Sequence, residues 1–143
     1  MKIAFHQFDF SSTQVDQYAE WLAQSAHQYG YRIEQVTYTL YSQEQMLALN
    51  QRYLQHETDT DIITFDYTEG KAISAEVYIS AYMLPINAQK FSQSVESERI
   101  RLFSHGLLHC MGFTDKDKQA QQQMRQEEEK CMALFHVKHT DHV

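Results

Sequence analysis

The segment from residue 61 to residue 80 contains two short runs of β-branched and aromatic residues, DIITFDY and ISAEVYIS, joined by the polar stretch TEGKA. Such residues favour extended backbone, and a short polar loop with a glycine lets the second strand return beside the first. The pattern therefore predicts an antiparallel β-hairpin. Any fold of this chain has to contain a sheet built around this strand pair.

Strand-like and helix-like runs alternate before the hairpin. The strand KIAFHQF precedes a helix that Ser12 is predicted to cap and that Gly30 ends. The strand YRIEQVTYTLY precedes a helix in which Ser42 and Gln45 have capping-box spacing. Three helices are predicted after the hairpin, in AYMLPINAQKF with Pro85 in its first turn, in ESERIRLFSHGLLHCMG and in DKQAQQQMRQEEEKCMALF. This order predicts an α+β fold, a small mixed sheet of about four strands with helices packed on it.

The length of 143 residues fits a single domain over residues 1–143, and no run rich in glycine or proline offers a linker. Residues 136–143 are polar and terminal, which predicts a flexible tail. Cys110 and Cys131 lack a CxxC motif and are predicted to be reduced thiols, as in cytosolic proteins. Asp9 comes too early for a secretory signal, and no apolar run approaches the ~18 residues of a membrane span. We therefore expect a soluble cytoplasmic protein.

The formal net charge of −7 at pH 7 bears on the class of ligand. Nucleic-acid binders draw much of their affinity from phosphate neutralisation by lysine and arginine, so an acidic chain needs a local basic patch to bind RNA. Five basic residues are candidates for such a patch: Lys2, Lys71, Lys90, Arg99 and Arg101. They are dispersed, and nothing in the linear sequence brings them together.

The sharpest motif is HGLLHCMGFTD, which spans residues 105–115. His105 and His109 are four residues apart, so on a helix each can direct one nitrogen at a shared ion. Gly112 can end the helix in the left-handed conformation and turn the chain so that Asp115 returns as a third ligand. Three protein ligands leave the fourth tetrahedral position to water, which is the pattern of a catalytic zinc site.

The same residues permit a purely structural interpretation. The two histidines of the motif could be partly buried and hydrogen-bonded, and Asp115 could cap the helix that begins near Asp117. Glu76, on the second hairpin strand, is either an acceptor for a histidine N–H or an exposed charge on the sheet. The run RQEEEK, which contains Glu127 and Glu128, is interpreted as the solvent face of the last helix.

The motif HGLLHCMGFTD resembles the signature of the YbeY family, bacterial single-domain metalloproteins described as endoribonucleases that mature ribosomal RNA. A second block, LNQRYLQHETDTDIITFDY from Leu49 to Tyr67, is similar to the family's helix end and following Thr-Asp-aliphatic strand, and AEVYIS comes next in the family's order. The resemblance implies one Zn²⁺ ion held by His105, His109 and Asp115, with a metal-bound water that attacks the phosphodiester. It also implies ribosomal RNA and the ribosome or its small subunit as partners.

Three positions depart from the family pattern. Asp115 stands where most relatives have a third histidine, Leu54 stands where relatives usually have an arginine, and Ala75 replaces a glycine ahead of an acid. Because that arginine is thought to serve catalysis or phosphate binding, the metal site is expected to carry over better than the nuclease chemistry. No catalytic residue beyond the metal-bound water is assigned.

Two other functions compete with a zinc-dependent endoribonuclease. A non-catalytic, metal-stabilised ribosome-assembly factor would keep the fold and the ion, and both Leu54 and the negative charge favour it. A metallohydrolase of a non-nucleic-acid substrate would tolerate the acidic surface. A peptidase of the HExxH type is disfavoured, because Gly106 occupies the position of the glutamate. If RNA is the substrate, basic residues are expected around the cleft that holds His105.

Overall fold

A computed structural model describes residues 1–54 and 59–140, with side chains as far as residue 136. Within these ranges the elements follow the predicted order: β1 (Lys2–His6), α1 (Ser12–Gln28), β2 (Arg32–Tyr41), α2 (Gln43–Tyr53), β3 (Ile62–Asp66), β4 (Ala72–Ser80), α3 (Met83–Lys90), α4 (Val95–Cys110) and α5 (Lys118–Thr140). None of the helices described here is both long enough and apolar enough to cross a membrane.

The strands form one mixed sheet in the order β1-β2-β4-β3. β1, β2 and β4 are parallel, whereas β3 runs antiparallel to β4, with Ile62 opposite Ile79 and Asp66 opposite Ala75. The predicted hairpin is therefore confirmed, and so is the α+β class. α1 connects β1 to its parallel neighbour β2, because a short turn cannot join two parallel strands.

Serine side chains fix the beginnings of α1 and α2. Ser11 is the N-cap of α1: its hydroxyl accepts from the Gln14 N–H at 3.1 Å, and its own N–H donates to the Gln14 side chain at 2.9 Å. The predicted cap at Ser12 is wrong, because Val15, three residues later, has no polar side chain to complete a capping box. The capping box predicted at Ser42 is present in α2.

The hydrophobic core lies between the sheet and helices α1, α4 and α5. Its largest fully buried side chains include Trp21 of α1, Tyr38 of β2 and Phe103 of α4. The Trp21 indole N–H donates to the main-chain oxygen of Cys131 at 2.7 Å, and the Tyr38 hydroxyl donates to that of Phe103 at 2.9 Å. These bonds tie α1 to α5 and β2 to α4. Cys110 and Cys131 are both buried and free.

Helix α4 approaches the sheet closely at Gly106. A Cβ atom at this position would lie 3.2 Å from Cγ1 of Val77 on β4, which is tighter than ordinary contact. Gly106 therefore faces the sheet, and a Cβ atom here would require the Val77 side chain to shift by a few tenths of an ångström. Because successive helical residues are about 100° apart, the neighbouring His105 is directed away from this contact.

Helix α5 extends further than predicted. The Phe135 ring lies 5.5 Å from the Tyr18 ring and 5.1 Å from the Trp21 ring, measured between centroids, so it anchors the end of α5 on α1. The helical backbone continues to Thr140. α5 thus includes residues 136–140 of the predicted tail, whose flexibility stays a prediction, and residues 141–143 lie outside the described residues.

Candidate metal centre and its cleft

A cleft of about 400 Å³ opens between the beginning of β3 and helices α4 and α5. Its charged and titratable lining comes from segments that are distant in sequence: Asp61, Arg101, His105, Asp115, Arg125 and Glu128. The cleft therefore contains two of the three metal ligands predicted from the sequence, together with charged residues that the motif did not include.

The imidazole of His105 is held by a carboxylate that reaches it from α5. Its Nδ1–H donates to Glu128 Oε2 at 2.7 Å, and the Glu128 side chain is buried. An ionised carboxylate can only accept, which places a hydrogen on Nδ1, and in the neutral imidazole the lone pair of Nε2 is then left for another partner. Metal-ligating histidines use this arrangement, in which a carboxylate orients the ring through the nitrogen that does not bind the metal.

Asp115 lies beside His105 after the chain turns at Gly112, which follows α4 with a φ of 97°. Its Oδ2 atom is 3.6 Å from His105 Nε2, and its side chain is 62% exposed. The alternative that Asp115 caps α5 is wrong, because the cap is Asp117, whose Oδ1 accepts from the Ala120 N–H at 2.8 Å. The helix cap and the candidate ligand are two different aspartates.

The spacing of the two facing atoms fits a tetrahedral zinc ion. Two donors that are each about 2.1 Å from zinc at the tetrahedral angle are about 3.4 Å apart. This is close to the 3.6 Å between His105 Nε2 and Asp115 Oδ2. With the hydrogen on Nδ1, both facing atoms are acceptors, which repel each other unless a cation or a proton lies between them. The pair can therefore bind a metal ion, or form an ion pair if the imidazole carries two protons.

The third predicted ligand, His109, lies one turn further along α4 with an exposed side chain. Among the side chains that the structure describes, no three of His, Cys, Asp or Glu are grouped closely enough to hold a metal ion. The structure thus brings His105 and Asp115 together and leaves His109 apart. Exposed side chains change rotamer on the picosecond-to-nanosecond timescale. Of the three predicted ligands, His109 is therefore the one whose side chain is free to change position.

Arg101 joins two buried carboxylates behind His105. Its Nε and Nη2 atoms each donate to Glu98 at 2.8 Å, and Nη1 donates to Glu128 Oε1 at 3.3 Å. Burial alone lowers the pKa of Arg101, but Glu98, Glu128 and Asp61 together raise it above its ordinary value. The guanidinium therefore stays charged and neutralises the carboxylates around it.

The interpretation of RQEEEK as a solvent face is wrong for Glu127 and Glu128, which are 8% and 2% exposed. Glu127 Oε1 accepts from the Tyr29 hydroxyl at 2.6 Å, and Glu128 faces the cleft. Glu127 also pairs with Lys130 three residues later, at 3.1 Å, as helical spacing allows. The partners that accompany the burial of Glu127 and Glu128 lie 98 and 23 residues away in sequence, so a local charge pattern could not identify them. The available signal was the pair Glu98 and Arg101, an acid and a base three residues apart on α4.

Asp61, just before β3, lies on the other side of Arg101. Its Oδ2 atom is 3.6 Å from Arg101 Nη2 and accepts a hydrogen bond from Asn87 Nδ2 at 3.3 Å. Burial raises the pKa of Asp61 above its ordinary value, and the charge of Arg101 offsets part of that rise. Three carboxyl groups therefore surround the Arg101 guanidinium: Asp61, Glu98 and Glu128.

Glu76 belongs to a different surface. It is exposed on β4, and its carboxylate accepts from the Tyr67 hydroxyl at 3.1 Å and from the Tyr78 hydroxyl at 3.2 Å. Burial and the nearby Glu76 charge raise the pKa of Tyr78 to about 12. The interpretation of Glu76 as an exposed charge on the sheet is confirmed, and the carboxylate that accepts from a histidine is Glu128.

Two arginines line the cleft beside His105. Arg101 is one of the five basic residues considered from the sequence, whereas Arg125 of α5 was not among them. In the described lining these two arginines lie among three carboxyl groups, Asp61, Asp115 and Glu128, and the other four candidates from the sequence lie elsewhere. The gathering of basic residues expected for an RNA substrate is thus limited here to Arg101 and Arg125.

Comparison with known proteins identifies relatives over most of the chain. The sequence model of the family described as Endoribonuclease YbeY matches residues 2–136. The chain is 40% identical over 115 residues to the protein named Endoribonuclease YbeY from Phocaeicola vulgatus, with 80% of this chain and 83% of that protein covered. It is 35% identical over 133 residues to the protein of the same name from Christiangramia forsetii, with 93% of each covered.

The fold is similar to that of TM1509 from Thermotoga maritima, known from a solution structure. The two share 21% sequence identity and a TM-score of 0.69, over 96% of this chain and 91% of that one. At this identity the likeness concerns the fold alone. Because the family match covers residues 2–136 and the relatives cover most of the chain at 35–40% identity, this chain belongs to the YbeY family.

Proposed function

We propose that this protein is a zinc-dependent endoribonuclease that acts in the maturation of ribosomal RNA. Family membership and relatives named Endoribonuclease YbeY support the endoribonuclease activity. The observation that carries the metal dependence is the pair of donor atoms His105 Nε2 and Asp115 Oδ2, 3.6 Å apart in a cleft lined by arginines. The ribosome or its small subunit as partner and a cytoplasmic location belong to the same proposal and rest on family membership.

In this proposal His105, His109 and Asp115 hold one Zn²⁺ ion. Glu128 supports the site by accepting the Nδ1 hydrogen of His105, which orients the ring and raises the basicity of its other nitrogen. His109 completes the ligand set through a rotamer change of its exposed side chain. A zinc ion, when bound, supplies Lewis acidity toward a phosphoryl oxygen and toward water.

The chain's own residues prepare the cleft for a phosphodiester. Arg101 neutralises two buried carboxylates that would otherwise repel the phosphate. Apolar side chains also form part of the lining: Ile62, Leu102 and Met124. The cleft therefore combines paired charges with a partly apolar lining.

The test of this function compares zinc-loaded protein, metal-free protein and the His109→Ala variant, each incubated with a structured ribosomal RNA fragment. We expect cleavage by the zinc-loaded protein. We expect its loss in the other two, because the metal-free protein has no ion and the variant has lost one proposed ligand. His27→Ala is the matched control, since His27 is an exposed histidine in the last turn of α1, and its activity should equal that of the unmodified protein.

Equal degradation by all preparations would identify a contaminating nuclease and contradict the proposal. Absence of cleavage with retained binding to small ribosomal subunits would instead favour the metal-stabilised assembly factor, for which Leu54, exposed at the family's usual arginine position, is the supporting observation. Absence of both cleavage and binding would leave the metallohydrolase of another substrate as the better function.

A further inference from the structure

Arg125 is the cleft arginine that no carboxylate engages. In the described part of the chain, Arg101 pairs with Glu98, Glu128 and Asp61, whereas Arg125 takes part in no ion pair. Arg125 is exposed on α5 and lines the cleft. Its full charge is therefore available to a ligand, which is not the case for Arg101.

Arg125 also connects the cleft to a second groove. This groove has a volume of about 250 Å³, and its lining includes Phe91, just after α3. Arg125 Cζ and Lys90 Nζ each lie 5.5 Å from the centroid of the Phe91 ring, and Phe91 is 42% exposed. An exposed aromatic ring with two cations against it thus lies along the continuation of the cleft.

Carboxylates also line the cleft and the second groove, so cations without an ion-pair partner are needed there to bind a phosphate. Asp61, Asp115 and Glu128 line the cleft. Glu98, Glu128 and the exposed Glu129 line the second groove, and Arg101 pairs with Glu98 and Glu128. Without compensation these groups repel a phosphodiester chain, so an RNA strand can enter only where an unpaired cation meets each phosphate. Arg125 lines both the cleft and the second groove, and Lys90 at the end of α3 reaches the Phe91 ring.

The chemistry of this surface matches single-stranded RNA. Proteins bind such strands by stacking bases on aromatic side chains and by pairing arginine and lysine with the phosphates. We propose that Arg125, Phe91 and Lys90 form the path of the RNA strand beside the cleft. Arg125 contacts the phosphate next to the cleft, Phe91 stacks on the adjoining base, and Lys90 contacts the next phosphate. This inference rests on the proposed function and locates the substrate strand on the protein.

The path is tested by the binding of a short fluorescein-labelled single-stranded RNA to metal-free protein, measured by anisotropy over a range of salt concentrations. Arg125→Gln should weaken binding about tenfold at low salt and make the dependence of log K on log salt shallower by about 0.7, the value for one phosphate contact on a single strand. Phe91→Leu should weaken binding about tenfold without changing that slope, because stacking is not electrostatic. Arg125→Lys should retain the slope.

Arg32→Gln is the matched control. Arg32 is an exposed arginine at the end of the sheet opposite the cleft, because it pairs with Ala72 whereas Ile62 pairs with Ile79. Its substitution removes the same charge and should leave RNA binding unchanged.

The outcomes separate this inference from the proposed function. If the unmodified protein binds and cleaves RNA and the Arg125→Gln variant does so equally well, the path is wrong and the proposed function stands. Equal weakening by Arg125→Gln and Arg32→Gln would reduce the effect to net charge and also overturn the path. If the unmodified protein neither binds nor cleaves RNA, the proposed function itself fails.

Discussion

Glu128 shows how one side chain can serve both the fold and the site. Its two oxygens are divided between Arg101, at 3.3 Å, and His105, at 2.7 Å. A buried carboxylate is tolerated only with such partners, because transfer of an unpaired charge out of water is costly. Both partners lie on α4, so the contacts that dock α5 on α4 also set the orientation of the His105 ring.

We expect the Glu128→Gln variant to bind zinc about 10–100-fold more weakly, because loss of the charged acceptor removes the support of the ligating imidazole. Competition with a chromogenic chelator measures this affinity. Glu129→Gln is the control, because Glu129 is the adjacent residue and is exposed. This variant should bind zinc with normal affinity. Unchanged affinity in the Glu128 variant would show that His105 needs no carboxylate or is not a ligand.

Asp115 can be separated from its neighbouring cap by substitution. We expect Asp115→Ala to lose most of the bound zinc and Asp115→Asn to bind it on the order of a hundredfold more weakly, because an amide oxygen lacks the charge of a ligating carboxylate. Asp117→Asn should retain both metal and helix, since asparagine is a good N-cap. Zinc stoichiometry and affinity decide the question, and normal zinc binding by Asp115→Asn would remove Asp115 from the coordination shell.

At the scale of secondary-structure elements, side-chain chemistry at a few positions fixes where the helices begin and how closely they pack. The reciprocal bonds of Ser11 and Gln14 start α1, and the left-handed Gly112 follows the end of α4. Gly106 lets α4 approach β4 at Val77. Since His105 precedes Gly106, this close approach also determines which side of α4 carries the histidine into the cleft.

The cap of α1 gives a matched pair of substitutions. We expect Ser11→Ala to lower the free energy of unfolding by about 1 kcal/mol, because it removes the acceptor for the Gln14 N–H. Ser12→Ala, one residue later, should change it by less than about 0.5 kcal/mol, since Ser12 is not the cap. Urea denaturation of both variants measures the difference, and equal losses would contradict the assignment of Ser11.

At the scale of the whole molecule, burial keeps several titratable side chains neutral. Burial is the largest cause that raises the pKa of Cys110 to about 12 and the pKa of Cys131 to about 11. Burial also raises the pKa of Tyr38, whose hydroxyl donates to a main-chain oxygen of α4. These groups lie on α4, α5 and β2, where the helices pack against the sheet. Their ionisation would therefore place charges inside the hydrophobic core.

We therefore expect the free energy of unfolding to fall as the pH rises above 9. The ordinary thiol pKa is 9.0, so an unfolded chain ionises there while the folded protein keeps both thiols protonated. Their contribution is fully present below pH 9 and is lost as the pH rises through the folded pKa values. Urea denaturation should give a loss of roughly 1–2 kcal/mol per thiol between about pH 8 and about pH 10.5.

The Cys131→Ala variant checks the assignment of this alkaline loss. Its stability should fall less steeply over the same pH range, because one of the two thiols is absent, whereas the remaining fall comes from Cys110 and the buried tyrosines. A fall as steep as that of the unmodified protein would show that Cys131 does not contribute.

The sequence by itself determined the elements and the motif. Alternating and helical periodicities are local, so they predicted each strand and helix, including the hairpin of β3 and β4. The spacing of His105, Gly112 and Asp115 is also local, because one helix and one turn determine it. This is why the return of Asp115 to His105 could be predicted from residues 105–115 alone.

Only the tertiary structure decided the strand order, the burial of Glu128 and the place of Arg125. A parallel sheet and a helix packed across another join residues that are far apart in the chain, and no local period records which of them meet. A charged residue has the same sequence pattern whether it faces water or a buried partner. Arg101 and His105 satisfy Glu128 across 27 and 23 residues of sequence, and the balance between desolvation and pairing exists only once α4 and α5 have packed together.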